Sequence, residues 1–265
     1  MLSVENLKIE FFDHSLPETA VDDVTFTMGE GEILGIVGES GSGKSLTALS
    51  IAGLLNRGDI TKSGDIVFNG LNLLHCKRSE LRKLQGKDIA MIFQEPMTCL
   101  NPVKRIGWQV EEALRVHGEK DKIKLKEEAI RALKDAGLED AERIYASFPH
   151  QLSGGQRQRV MIAAAMISKP KLLIADEPTT ALDVTVQAQV IELLRRINRE
   201  KKTSILFISH DLSLVRQLCQ RVLVMKDGKI VEQGEAEDIF ANPQEEYTKE
   251  LIAAIPVVKR PEIAG

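Results

Sequence analysis

The chain is 265 residues long, with 43% hydrophobic and 28% charged side chains. That balance suits a globular protein with a sizeable core, in one large domain or two small ones. A formal net charge of -4 argues against a broad basic face, so no nucleic-acid partner is expected. The three cysteines, Cys76, Cys99 and Cys219, are far apart, lack metal-ligand spacing and suit a reducing compartment. Met1 to Glu5 shows no basic segment leading into an apolar core, so no signal peptide is expected. Apolar runs such as Met161 to Ile167 are too short to span a bilayer, so a membrane role would come through a partner.

The first third reads mostly as strands. Val24, Phe26 and Met28 alternate with Thr and Gly, the pattern of a half-buried strand, and Gly29 to Glu32 is a turn. Ile33 to Val37 reads as a buried strand and Leu46 to Leu55 as a helix. Between them, Gly38-Glu39-Ser40-Gly41-Ser42-Gly43-Lys44-Ser45 fits G-x-x-x-x-G-K-[ST], a loop that cradles nucleotide phosphates. Its glycines let the backbone turn tightly so that successive N–H groups aim at phosphate oxygens, at the positive end of a helix. Lys44 is placed to reach the β- and γ-phosphates, and Ser45 to offer its hydroxyl to Mg²⁺. The competing reading is a chance glycine-rich turn, which the strand–loop–helix context disfavours. Asp65 to Phe68 is a short strand closed by Asn69-Gly70, and Ile89 to Phe93 is another, ending at Gln94.

From Glu95 to Leu152 the chain is rich in Lys, Glu, Ala and Leu and reads as a helical insertion. Leu125, Ala129, Ala132, Leu133 and Ala136 fall at helical spacing and Gly137 supplies a stop. The charge run Glu119 to Glu128 reads as a solvated helix face. The α/β rhythm then returns: strand Leu172 to Ala175, helix Val186 to Arg199, strand Ser204 to Ile208, helix Leu212 to Cys219, and strand Val222 to Met225 turned by Asp227-Gly228 into Lys229 to Val231. Strands alternating with helices predict a mostly parallel sheet covered on both faces. The tail from Pro256 is expected to fray.

Several residues carry chemistry. Leu172 to Pro178 delivers two adjacent carboxylates at the end of an apolar strand, where ligands sit in open α/β sheets. Asp176 fits a Mg²⁺ ligand, and Glu177 a carboxylate that polarises attacking water. An ordinary acidic turn is the plain alternative. Ser153-Gly154-Gly155-Gln156 opens the helical stretch Arg157 to Ile167, with Ser153 as N-cap and bare backbone N–H groups as a second anion site. Taken alone, a simple N-cap is the better reading there. His210, at the end of a strand and beside Asp211, is suited to contact a γ-phosphate, against the ordinary reading of a structural histidine. Gln94 is placed to touch Mg²⁺ or the attacking water, against that of a polar loop residue.

Together these pieces resemble the nucleotide-binding subunit of ABC transporters, over nearly the whole chain and in the family's order. Gly38 to Ser45 matches the phosphate loop, Gln94 the Q-loop, Leu152 to Gln156 the LSGGQ signature and Leu172 to Asp176 the Walker B strand. Glu177 matches the catalytic glutamate, Ala181-Leu182-Asp183 the D-loop and His210 the switch histidine. Phe11 stands where the family often places an aromatic that stacks on adenine, with Phe12 as the rival. The resemblance implies an α/β P-loop NTPase core with a mostly parallel sheet, an N-terminal antiparallel β region and a helical insertion subdomain. It implies one ABC ATPase domain over 1–255, with 1–94 and 153–240 as the ATP-binding core, 95–152 as the insertion, and 241–265 as a C-terminal tail.

Finer resemblance points to the peptide/nickel uptake branch. Gln94 to Pro102 is similar to that branch's QEPMTSLNP segment, with Cys99 in place of Ser, and Pro149 to Leu152 and Asp176 to Thr185 also fit. Asn242 to Leu251 is similar to its NPxHPYTxxL element, with Glu245 and Glu246 in place of His and Pro. Several relatives carry a cysteine cluster near the C-terminus. This chain has no Cys after Cys219, so no iron–sulfur cluster is expected.

The implied activity is ATP hydrolysis with Mg²⁺, coupled to import of oligopeptides or dipeptides, with nickel or a nickel complex as the alternative cargo. In the family two subunits pack head to tail, so Ser153, Gly154, Gly155, Gln156 and Asp183 would act on a nucleotide held by the partner chain. The expected partners are a second, related ATPase subunit, two transmembrane permease subunits and an extracytoplasmic substrate-binding protein. The expected location is peripheral, on the cytoplasmic face of the membrane. Two other classes compete: a soluble ABC ATPase in DNA repair or translation, disfavoured by the acidic balance and the lack of a coiled-coil insertion, and a nucleotide sensor without turnover, disfavoured by Glu177.

Overall fold

A computed structural model of the chain describes residues 1–13, 16–94, 99–180 and 182–255. From the N-terminus run strands β1 (Leu2–Asp13), β2 (Leu16–Met28) and β3 (Ile33–Val37), helix α1 (Lys44–Ile51), strands β4 (Ile60–Phe68) and β5 (Leu71–Asn72), helix α2 (Arg78–Leu84) and strand β6 (Ile89–Ile92). Helices α3 (Ile106–Val110), α4 (Glu112–Val116), α5 (Lys122–Asp135) and α6 (Ala141–Ala146) follow, then a 3₁₀ turn (Pro149–Gln151) and α7 (Gly154–Met166). The chain continues through β7 (Leu172–Asp176), α8 (Val184–Lys201), β8 (Ser204–Ile208), α9 (Leu212–Leu218), β9 (Arg221–Lys226), β10 (Lys229–Glu235), α10 (Ala236–Ala241) and α11 (Glu246–Ala253).

These strands form an antiparallel sheet of order β2-β1-β4-β5 and a six-stranded sheet of order β10-β9-β3-β8-β7-β6. In the second sheet every pairing is parallel except that of β10 with β9. Strands β3, β7 and β8 are buried on both faces, which is why they read as continuous apolar runs. Successive side chains point to opposite faces, so one strand feeds two cores. Leu34 and Ile36 of β3 join a core shared with the antiparallel sheet and α1. Ile33 and Val37 join the other core, with α7, α8, α9 and the helices between β6 and β7.

Both predicted two-residue turns close hairpins. Asn69 and Gly70 (φ 48° and 84°) join β4 to β5, and Asp227 and Gly228 (φ 47° and 79°) join β9 to β10. Two positive φ values are the pattern that matches strand twist. The predicted helix at Leu125 to Ala136 is α5, with Leu125, Ala129 and Leu133 buried and Gly137 at φ 77°.

Other boundaries differ from those read in the sequence. β4 begins at Ile60 rather than Asp65, because pairing with Phe11 and Glu10 of β1 extends a stretch whose own Thr-Lys-Ser-Gly pattern is not strand-like. α1 spans Lys44–Ile51, not Leu46 to Leu55, and α8 begins at Val184 because Asp183 caps it. α2 escapes a periodicity reading because it fully buries none of its residues. Helices α10 and α11 were not read in the tail. The segments Glu95–Thr98, Ala181 and Pro256–Gly265 lie outside the described residues. Among the described residues, no helix is long and apolar enough to cross a membrane.

Candidate active site

The parallel strands β3, β8, β7 and β6 are neighbours, and their C-terminal ends carry Gly38, His210, Asp176 with Glu177, and Gln94. Sheet order therefore brings four distant chain segments to one edge, the position where α/β sheets bind ligands.

The Gly38–Ser45 loop is built tightly against its surroundings. Gly38 has φ 148°, and a Cβ there would lie 2.1 Å from the Met225 carbonyl oxygen of β9. Gly43, at φ 96°, is the N-cap of α1, and its Cβ would lie 2.9 Å from the Ala20 carbonyl oxygen of β2. Ser42 and Lys44 are buried, Ser45 is half-buried, and Glu39, Ser40 and Gly41 are exposed. Lys44 is 6% exposed, and its ammonium donates to the carbonyl oxygens of Gly38 (2.8 Å) and Glu39 (2.6 Å) and to Ser42 Oγ (3.3 Å). Burial lowers its pKa, opposed by the charges of Glu177, Asp176 and Glu39.

Ser45 Oγ donates to Asp176 Oδ1 at 3.1 Å. Burial raises the Asp176 pKa, the Ser45 hydrogen bond lowers it, and the Glu177 charge raises it further. Both groups are hard oxygen donors at hydrogen-bonding distance, a pair that suits Mg²⁺.

Glu177 has φ 47°, the left-handed region that a non-glycine residue occupies only under constraint. Its N–H donates to the Ile208 carbonyl of β8 at 2.9 Å, which holds the turn in place. One carboxylate oxygen, Oε2, is the hub of the site. It accepts from Thr180 Oγ1 at 2.8 Å and from Gln94 Nε2 at 3.4 Å, and His210 Nδ1 lies 2.9 Å from it. His210 and Gln94 are exposed while Glu177 is half-buried, so the hub opens to solvent through these two side chains.

The Ser153 turn is separate from this cluster. Ser153 Oγ accepts from the Gln156 N–H at 3.3 Å, and Gln156 Oε1 accepts from the Ser153 N–H at 3.0 Å, a capping box at the start of α7. Ser153 and Gly154 are exposed, and the cleft beside them is lined by residues such as Asp140, Arg159 and Val186, with none from the Gly38–Ser45 loop. Asp183 is exposed and accepts from the Val186 N–H at 3.0 Å. Phe11 is half-buried, pairs with Glu18 of β2 and carries the Arg57 guanidinium 5.7 Å from its ring centroid. Phe12 is 50% exposed.

Two residues at the site were not read from the sequence as site residues. Thr180 sits in the quoted Asp176–Thr185 stretch, and its position three residues after Glu177 is the only signal. Tyr247 of α11 accepts from the Glu39 N–H at 3.0 Å, although its sequence context had suggested only a cargo class.

The ABC transporter family profile matches residues 21–180. The chain is 46% identical to the dipeptide transport ATP-binding protein DppD of Haemophilus influenzae, over 97% of this chain and 78% of that one. It is 48% identical to the oligopeptide transport ATP-binding protein OppD of Escherichia coli, over 97% of this chain and 76% of that one. Among solved structures it resembles the ATP-binding cassette MJ0796, a dimer in a post-hydrolysis state bound to ADP and Pi. The TM-score is 0.80 at 29% identity, over 89% of this chain and 99% of that one. With the family profile covering more than half its length, and relatives 46–48% identical over 97% of it, this chain belongs to the ABC transporter family.

Proposed function

We propose that the chain is the ATP-hydrolysing subunit of an importer that takes up dipeptides or oligopeptides across the cytoplasmic membrane. The observation that carries this reading is the pairing of the Ser45–Asp176 oxygens with the Glu177 hub at one edge of the sheet. The names of DppD and OppD support the cargo class.

In this reading Lys44 exchanges its loop carbonyls for phosphate oxygens, and the loop N–H groups bind the same phosphates. Ser45, Asp176 and Gln94 would hold Mg²⁺, which would supply charge neutralisation to the phosphates. Glu177 takes the proton of the attacking water. His210 holds the Glu177 carboxylate and contacts the γ-phosphate, while Gln94 orients the water from the other side. Phe11 stacks on the adenine.

Ser153, Gly154, Gly155, Gln156 and Asp183 serve the nucleotide of a second ATPase subunit, a related chain packed head to tail. The exposure of Ser153, Gly154 and Asp183, and a cleft beside the Ser153 turn that takes no residue from the Gly38–Ser45 loop, support that role. The ATP-binding core is 1–94 with 153–240, and the insertion 95–152 docks on two permease subunits that work with an extracytoplasmic binding protein. A groove of about 570 Å³ supports the docking role: Phe93, Leu100, Val116, His117 and Met161 line it, and Gln94 follows Phe93 directly. The chain then lies peripherally on the cytoplasmic face.

Reconstitution with the permeases and binding protein of the same operon tests this. Peptide is expected to stimulate Mg²⁺-dependent ATP turnover in the full complex. Turnover indifferent to the membrane subunits, with no co-purification, overturns it. Stimulation by nickel in place of peptide overturns the cargo class alone.

A further inference from the structure

We propose that Tyr247, on the C-terminal helix α11, is a positioning residue for nucleotide binding that pins the first peptide of the phosphate loop. The proposal rests on the reading of Gly38–Ser45 as the loop that takes ATP phosphates.

The Gly38–Glu39 peptide unit is gripped at both ends. Its carbonyl oxygen accepts from Lys44 Nζ at 2.8 Å, and its N–H donates to Tyr247 Oη at 3.0 Å. The C=O and N–H of a trans peptide point in opposite directions, so the two contacts fix the plane from opposite sides. On the β9 side the same segment has no slack, because the Met225 carbonyl occupies the space of a Gly38 Cβ. Tyr247 is itself fixed. The residue is 7% exposed, and the Lys226 ammonium lies 4.6 Å from its ring centroid.

The helix carrying Tyr247 is anchored from β10. Glu232 accepts from the backbone N–H groups of Gln244 at 2.8 Å and Glu245 at 3.2 Å, just before α11 begins. A continuous path therefore runs from the β9–β10 hairpin through Glu232 and Tyr247 to the loop. When Lys44 turns to phosphate oxygens, the Gly38 carbonyl loses that donor, and the Tyr247 hydroxyl is the hold that remains. Tyr247 thus keeps the loop ordered before and during binding, which lowers the ordering cost met when nucleotide arrives. Such a residue acts on affinity more than on the chemical step.

Tyr247→Phe in the full chain removes one oxygen and keeps the ring and its Lys226 contact. Loss of a neutral hydrogen bond predicts a KM for ATP raised roughly three- to tenfold, with kcat within about twofold. Hydrogen exchange at the Glu39 amide is expected to speed up, with the unfolding midpoint close to wild type. Glu232→Gln, which weakens the seat of α11, is expected to raise KM in the same direction but less. Unchanged KM in Tyr247→Phe overturns the proposal. So does a fall in kcat that tracks the unfolding midpoint while KM stays constant, since that is the pattern of a merely structural contact. A wild-type chain without ATP turnover would fail at the first measurement, and so separates the loss of the ATPase reading from the loss of this one.

Discussion

His210 Nδ1 and Glu177 Oε2 meet at 2.9 Å although 33 residues separate them in the chain. They meet because β7 and β8 pair in parallel, with Asp176 opposite Ile208, so the residues just beyond each strand emerge side by side. An ionised carboxylate only accepts, so a hydrogen bond to it from His210 places a proton on Nδ1.

This geometry gives the first prediction. Glu177→Gln keeps the shape and its contact with Thr180 but removes the base, so hydrolysis should fall by about 10²- to 10⁴-fold. ATP binding should persist, and a closed pair of subunits should accumulate on size-exclusion chromatography with ATP. His210→Ala should cost less, about 10- to 100-fold, since the base remains. Full turnover by Glu177→Gln would remove Glu177 from its role.

Lys44 gives the second. Its ammonium is held in burial by loop oxygens, and burial lowers its pKa. Lys44→Ala is expected to weaken ATP binding by about 10- to 100-fold, the worth of charge-assisted hydrogen bonds. The denaturation midpoint should move little, because the desolvation cost and the hydrogen bonds of the ammonium offset one another. Fluorescent-nucleotide titration decides it, and undiminished affinity would contradict the phosphate-loop assignment.

The third prediction separates local from inter-subunit roles in the Ser153 turn. A Cβ on Gly154 would meet nothing within 4 Å, whereas one on Gly155 would lie 2.9 Å from Val186 Cγ1. Gly154→Ala should therefore leave the isolated chain at least as stable, with a gain of up to about 0.5–1 kcal/mol from helix propensity. Turnover and ATP-driven pairing should nonetheless fall about tenfold or more, the scale of losing a contact to a charged group. Normal turnover would show that no partner nucleotide approaches this turn.

The fourth concerns the helical region. Glu111, 1% exposed, accepts from Tyr145 Oη at 2.5 Å and from Arg115 Nε at 3.1 Å. Burial first, and then the hydrogen bond to Glu111, raises the Tyr145 pKa from 10.0 to about 12. Since the folded value exceeds the unfolded one, this stabilisation is complete below pH 10 and is lost as pH rises towards about 12. Tyr145→Phe should cost about 1–2 kcal/mol at neutral pH and flatten the alkaline loss. Urea denaturation at neutral and alkaline pH checks this, and parallel loss in both proteins would sink it.

Local patterns made much of the site legible. The Gly38–Ser45 motif between strand and helix, the carboxylate pair ending Leu172–Asp176 and the Ser153 cap each depend on residues close in sequence. Backbone geometry over a few residues is enough to specify them. β1, the full length of β4, and helices α2, α10 and α11 were not legible, since pairing partners or docking surfaces far along the chain stabilise them.

What the sequence by itself determined is therefore chemical. It set which groups carry charge, which turns aim N–H groups outward, and which strands are buried on both faces. Only the tertiary structure decided who meets whom: His210, Gln94 and Thr180 around one oxygen of Glu177, and Tyr247 against the Glu39 amide. The reason is physical. Sheet order and helix docking are set by burial summed over the whole core, and that sum has no counterpart in any short window of residues.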